Sequence, residues 1–248
     1  MARISSKPED ASVPIIDRES VAGFFKGRAK KVDQIGHVQA VIYQDKNPDL
    51  ARQRDVAEKA KLLPLLNLRG IESVLDVGCG TGRWADVIVP RCGSYKGADF
   101  SQEFVDISSR RFGASSNVSF VRIAAEEISP ATIGETFQVI LSLGLFIYLN
   151  DDELVRAIRG YGSVADESCR ILIREPVGIA SRLTIKDHFS DELGQVYNAI
   201  YRTEDELMKV VLEELFPIGF RLKESGDVYE AALNNRLDTK QMWFLLEK

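Results

Sequence analysis

Histidine is nearly absent from this chain. There are two in 248 residues, His37 and His188, far apart in sequence. Cysteine is scarce as well, with three, at positions 79, 92 and 169. No Cys/His group has the close spacing of a zinc site, so a zinc hydrolase is disfavoured and no metal is expected. An odd number of scattered cysteines gives no disulfide framework and predicts reduced thiols in a cytoplasmic protein. Long apolar runs are missing. The longest, 139–149, is interrupted by Ser142 and Gly144, whereas a membrane-spanning helix needs about 20 residues. The opening segment MARISSKPEDASVP lacks the apolar core of a signal peptide. No membrane partner is expected. An excess of basic charge is missing too: 32 Lys and Arg stand against 37 Asp and Glu, a net charge of −5. That balance disfavours a nucleic-acid partner.

What remains is a globular composition, 45% hydrophobic and 28% charged. It suits one large domain, or a domain with an appended cap. Residues 1–14 are polar, with Pro8 and Pro14, and read as a flexible lead. Residues 15–68 read as a helical cap. Apolar positions recur over 15–43, broken by glycines at 23, 27 and 36, which predicts one or two short helices. Asn47-Pro48-Asp49 then opens a further helix, which Gly70 closes. From residue 69 onward short β-rich runs (73–77, 95–99, 118–123, 138–143, 170–175) alternate with helical runs (82–91, 101–112, 151–164). That alternation, with nearly continuous apolar strands, predicts an α/β fold: a doubly wound, mostly parallel sheet with helices on both faces. Thr203 and Glu206 form a capping-box pattern for a helix ending near Pro217. Two β-like runs follow, 220–225 and 241–246, joined by a polar loop around Asn234-Asn235. With no helix between them, they should run antiparallel at a sheet edge.

The strongest motif is VLDVGCGTGRW, residues 74–84. An apolar strand carrying Asp76 runs into three glycines, at 78, 80 and 82, and a helix begins after them. Glycine permits tight turns and lets a ligand approach the backbone. Loops at the carboxyl ends of strands are where open α/β sheets bind ligands. A dinucleotide fingerprint would need glycine at position 83, where Arg83 stands, and the G-K-[ST] of a phosphate loop is absent.

D-x-G-x-G-x-G after the first strand resembles motif I of the class I S-adenosylmethionine-dependent methyltransferases. Asp99 at the end of the second strand, Ala124-Ala125-Glu126 after the third and Leu141-Ser142-Leu143-Gly144 in and after the fourth extend the resemblance over about residues 70–248. It implies a Rossmann-like methyltransferase fold with seven strands, the last antiparallel. It implies S-adenosyl-L-methionine as cofactor, without a metal. Asp76, Gly78, Cys79, Gly80 and Leu143 would then surround the cofactor. Asp99 would accept hydrogen bonds from both ribose hydroxyls, a task that suits a carboxylate with several acceptor sites. Phe100, Ala125 and Glu126 would contact the adenine, Arg83 would hold the cofactor carboxylate, and Tyr43 would close over the methionine part. Two departures stand out: Ala124 occupies a position where many relatives have Asp, and Ile147 one where many small-molecule relatives have His.

Residues 176–202 look like the family's substrate-side insertion. Glu175, at the end of the fifth strand, and His188 are the candidate catalytic groups, His188 because its ordinary pKa suits a general base. Tyr148, Tyr197, Tyr201 and Arg202 are the candidate substrate contacts. The expected acceptor is a small organic molecule. The missing His at position 147 tilts the reading toward an amine, since a hydroxyl usually wants a base. His188 or Glu175 keeps O-methylation open. The reading of another class is a non-catalytic, methyltransferase-like binding subunit. A homodimer is compatible with the sequence.

Overall fold

The computed structural model describes residues 3–6, 13–234 and 236–248. Its elements, in chain order, are β1 (Arg3–Ser6), α1 (Arg18–Ile35), α2 (His37–Ile42), α3 (Pro48–Leu62), β2 (Ser73–Val77), α4 (Ala85–Ile88), β3 (Ser94–Asp99), α5 (Gln102–Phe112) and β4 (Val118–Arg122). There follow α6 (Pro130–Ile133), β5 (Phe137–Leu143), α7 (Asp151–Ser163), β6 (Ala165–Gly178), β7 (Arg182–Ser190), β8 (Gln195–Tyr201), α8 (Glu204–Leu215), β9 (Arg221–Asp227) and β10 (Thr239–Glu247).

Short polar side chains set the helix starts. Asp17 accepts from the Ser20 amide at 2.7 Å and Asn47 from the Leu50 amide at 3.0 Å. The Thr203 and Glu206 side chains bond each other's backbone amides at 3.2 and 2.8 Å, a capping box. Gly23 and Gly27 do not interrupt α1, which packs Val21, Phe24 and Val32 inward along one stripe. Only Gly36, at φ 85°, breaks the run. The helix opened by Asn47 ends before Gly70: Pro64 follows Leu62 closely, and a short 3₁₀ turn, Leu63–Leu66, hands over to Asn67 in the left-handed region.

The main sheet has seven strands in the order β4-β3-β2-β5-β6-β10-β9. The first five are parallel neighbours. The last strand, β10, runs antiparallel to β6 on one side and to β9 on the other. Alternate residues of each strand serve opposite faces. Leu75, Ile140, Ile171 and Phe244 pack under α7 and α8 through Leu154, Ile158, Val211 and Leu215. Val74, Leu141, Leu172 and Trp243 pack on the other face under Leu62, Leu66, Trp84 and Ile88. This is the doubly wound, seven-stranded arrangement that the resemblance implies. Among the described residues no helix is long and apolar enough to cross a membrane.

A second sheet of three strands, β1-β7-β8, comes from the 176–202 insertion and the chain's start. The expected flexible lead is corrected at residues 3–6, where β1 pairs antiparallel with β7 from Arg3↔Ile185 to Ser6↔Arg182. The physical reason is the open edge of β7, whose free amides and carbonyls recruit an extended segment. The rest of that polar stretch, 7–12, lies outside the described residues. The β7–β8 hairpin sits on α1, with Ile16, Val21 and Phe24 against Leu183, Ile185, Tyr197 and Ala199. The cap and the insertion thus form one roof over the carboxyl ends of the parallel strands.

Candidate active site

The glycine loop leaves β2 and turns back at once. Gly78 and Cys79 both donate to the Ala98 carbonyl, at 2.7 and 3.1 Å. Gly80 sits at φ 55°, where a side chain is strained, and an added Cβ would lie 3.1 Å from Val41 Cγ1 of the cap. Freed in this way, the Gly80 amide points across the sheet and donates to Asp99 Oδ2 at 2.9 Å. Ser101 donates its amide to Asp99 Oδ1 at 2.9 Å. Each carboxylate oxygen therefore keeps acceptor capacity beyond its backbone partner. Asp99 is 6% exposed. Burial raises its pKa to about 6, against the lowering effect of these two amides. Asp76 lies below the loop and accepts from the Tyr95 hydroxyl at 2.6 Å. Burial raises it to about 6 as well, opposed by the Tyr95 bond. That bond ties the end of β2 to a side chain of β3.

Two cavities meet at this loop. The larger, about 390 Å³, is walled by the loop, the cap through Tyr43, the turn after β5 and the β7–β8 hairpin. The smaller, about 250 Å³, is walled by Phe100, Ile123, Ala124, Ala125, Glu126 and α1. Gly78, Asp99, Phe100, Leu145 and Tyr148 line both. The smaller cavity is a mostly apolar slot of a size for a flat ring. Glu126 borders it, with Oε1 on Arg18 and Oε2 buried without a partner.

Residues 74–167 match the family model described as "Methyltransferase domain". Those residues form a methyltransferase domain of the class I S-adenosylmethionine-dependent type. Over 92 residues it is 36% identical to a ubiquinone biosynthesis O-methyltransferase of Rhizobium etli, covering 37% of this chain and 35% of that protein. It therefore spans about a third of the length of the curated relatives it matches. The fold is shared with phosphoethanolamine N-methyltransferase 1 of Haemonchus contortus (TM-score 0.71, 17% identity, 94% of this chain and 50% of that one). It is shared also with a SAM-dependent methyltransferase of Leishmania major (TM-score 0.63, 16% identity, 90% and 82%).

Within this methyltransferase fold, most of the residues singled out in the sequence come together. Tyr43, Asp76, Gly78, Cys79, Gly80, Arg83, Asp99, Phe100, Leu143, Tyr148, His188, Tyr197 and Tyr201 line the larger cavity, and Ala125 and Glu126 the smaller. His188 reaches it through a bulge. The β7–β8 register shifts between Ile185 and His188, and Asp187 stands at φ 49° with its amide on Asn198 Oδ1. Cys79 is buried, and burial pushes its thiol well above the usual range, which suits filler rather than nucleophile.

Two assignments are corrected. Glu175 is not on the wall of either cavity. Strand β6 continues through residue 178, so its alternation turns Arg174 and Pro176 to the larger cavity and Glu175 to the opposite face. There Glu175 Oε1 accepts from the Leu145 and Phe146 amides at 2.7 and 2.8 Å, holding the turn after β5. Burial raises its pKa to about 7, opposed by those amides and Arg174. Arg202 lines neither cavity. Its guanidinium is buried and bonds Asp151, the Phe146 carbonyl and the Leu149 carbonyl. It fixes the same turn from the carbonyl side. Arg83 has the partner that a cation at a helix start calls for: it pairs with Asp55 at 2.7 Å and Glu58 at 2.6 Å on α3.

The sequence reading missed Glu58, Arg174, Tyr229, Arg236 and Gln241, all on the larger cavity's wall. Glu58 is the hub. It is 1% exposed and takes Arg83, Arg174, Trp84 Nε1 and the Tyr229 hydroxyl. Burial alone would raise its pKa, but Arg174 and Arg83 outweigh that and hold it near 2. An acid at the helical spacing of Asp55 was the one available signal, since Arg83 needed a partner.

Proposed function

We propose that the chain transfers the methyl group of S-adenosyl-L-methionine to a small organic acceptor, with an amine favoured. The observation that carries this reading is Asp99: a buried carboxylate, oriented by the Gly80 and Ser101 amides, with acceptor capacity left where two cavities join. A vicinal diol placed there would have both hydroxyls donate to it. Phe100, Ala125 and Glu126 would border the adenine in the smaller cavity, and the loop, Leu143 and Tyr43 would flank the methionine part in the larger.

The cofactor, when bound, supplies a methyl group already activated on a sulfonium. The chain's task is to bind, align and exclude water. In-line displacement needs the nucleophile held about 3 Å from the methyl carbon, and such positioning lowers the barrier by several kcal/mol. The apolar turn with Leu145 and Ile147 and the hydroxyls of Tyr148 and Tyr197, 3.4 Å apart, form the wall on the acceptor side. These hydroxyls accept hydrogen bonds from an amine and leave its lone pair free. With Glu175 turned away, His188 is the one uncommitted basic side chain sized for a general base on this wall among the described residues. Its presence supports the second reading, transfer to a hydroxyl with His188 taking the proton. The names of the curated relatives point the same way.

Calorimetry with S-adenosylhomocysteine tests the first step. Binding is expected, and Asp99→Ala is expected to weaken it about tenfold or more through lost charge-assisted hydrogen bonds. A folded sample that binds neither cofactor form would falsify the methyl-transfer reading. Labelled methyl donor with small amine and hydroxyl panels tests the second step. His188→Asn should spare turnover of an amine and reduce that of a hydroxyl by about a hundredfold.

A further inference from the structure

The wall of the larger cavity carries a cluster of arginines, of which only Arg83 has a place in the cofactor reading. Arg174 stands on β6, three strands along the sheet from β3 and Asp99, and its guanidinium lies over Gly144. Its Nη2 pairs with Glu58 at 2.9 Å and its Nη1 reaches Gln241 Oε1 at 3.5 Å. Its Nε is buried with no partner. Arg236, from the loop before β10, donates Nη1 to the Tyr201 hydroxyl at 2.9 Å and lies over the Tyr201 ring, with Nε 3.4 Å from Asp238. Arg54 of α3 lies on the same wall, and burial together with Arg174 and Arg236 lowers its pKa, against Tyr229 and Glu58. Arg54, Arg174 and Arg236 all line the larger cavity. Arg54, Arg83, Arg174 and Arg236 outnumber their acidic neighbours Asp55, Glu58 and Asp238.

Guanidinium forks gathered in a partly desolvated cavity are suited to a carboxylate or phosphate, which they bind through two parallel hydrogen bonds. From Arg236 a chain of hydroxyls, Tyr201, Tyr197 and Tyr148, runs along the cavity wall, so the body of the ligand is flanked by rings.

We propose that this part of the cavity is an anion subsite, in which Arg174 and Arg236 hold a carboxylate or phosphate on the far end of an aromatic methyl acceptor. The word acceptor rests on the methyl-transfer reading; the anion site does not. A negative group anchored here leaves the acceptor's nucleophile facing the loop, and it explains arginines facing a cavity in an acidic protein.

The full chain is titrated with benzoate, phenyl phosphate and the neutral benzyl alcohol, with binding read by calorimetry or ligand-observed resonance. One anion is expected to bind at least about tenfold more tightly than the alcohol. The tighter of the two identifies the group. Arg236→Gln should abolish that preference and leave S-adenosylhomocysteine affinity unchanged, and Arg236→Lys should retain part of it. Equal binding of all three probes, or no anion binding by the folded wild-type chain, overturns the subsite without needing any variant. A preference that survives in Arg236→Gln overturns it too. Loss of S-adenosylhomocysteine binding with the anion preference intact would instead count against the methyl-transfer reading alone.

Discussion

Adjacent residues on β6 have opposite fates. Arg174 faces the cavity and Glu175 faces the α7–α8 side, where Ile171, Ile173 and Val177 also pack. Glu175 is 1% exposed, and its Oε2 has no partner. Its pKa, raised to about 7 by burial, makes it a source of pH dependence. The native state then holds its proton at pH values where the unfolded chain has released it. The stability this group contributes is complete below the unfolded value near 4.5 and is lost as pH rises through about 7. In Glu175→Gln that loss is absent, while the amide oxygen still accepts from Leu145 and Phe146. The drop in unfolding free energy between about pH 5 and pH 8 should therefore be smaller than in the wild type, by on the order of 2–3 kcal/mol. Urea melts at both pH values check this, and parallel pH curves for the two proteins would sink it.

At the scale of elements, α3 is tied to the sheet by charge as much as by apolar packing. Asp55 and Glu58 lie one turn apart on its inner face and take Arg83 between them, while Glu58 also takes Arg174. Removing one partner of a buried ion cluster leaves the others uncompensated. Glu58→Gln should destabilise the fold by about 3 kcal/mol or more, seen as a fall in the denaturant midpoint at neutral pH. A midpoint within error of the wild type would show that water reaches the two guanidiniums. This tie was half legible in the sequence. The core strands, the glycine loop and the Thr203 cap follow from local rules: apolar runs, positive-φ glycines and short polar caps. The glycines of α1 misled, because Gly23 has open space around it and tertiary packing on the hairpin holds the helix through it. β1 was hidden because four residues signal a strand only once an open edge is known. Arg236 and Gln241 were hidden because the antiparallel return of β10 sets Gln241 opposite Pro176 within reach of Arg174, and the loop before it sets Arg236 on Tyr201, pairings of distant residues that no local pattern carries. Arg174 itself was readable, had the alternation of β6 been counted past the expected strand end.

For the whole molecule, the site lies between a rigid floor and an added roof. The floor is the parallel sheet with its two apolar layers. The roof is α1, α2 and the β7–β8 hairpin; Phe24 joins α1 to Tyr197 edge to face, and Tyr148 of the turn after β5 meets Phe25 and Tyr197 in the same way. Roof and floor touch where Val41 nears Gly80, where the Thr81 hydroxyl meets the His37 carbonyl at 3.0 Å, and where Phe25 packs on Phe100 and Phe104. A ligand in the joined cavities would bridge Tyr43 and Phe25 of the roof to the loop and Asp99, and would favour the form with roof and floor held together. Binding can stabilise that form by about 2.7 kcal/mol at a hundredfold excess over Kd. Amide exchange over residues 18–43 should therefore slow on adding S-adenosylhomocysteine, in step with the loop 78–82. The interior of β5 and β6, already protected by the floor, should change little. Slowing confined to the loop, with α1 and α2 unaffected, would mean that the helices cover the site without closing on it.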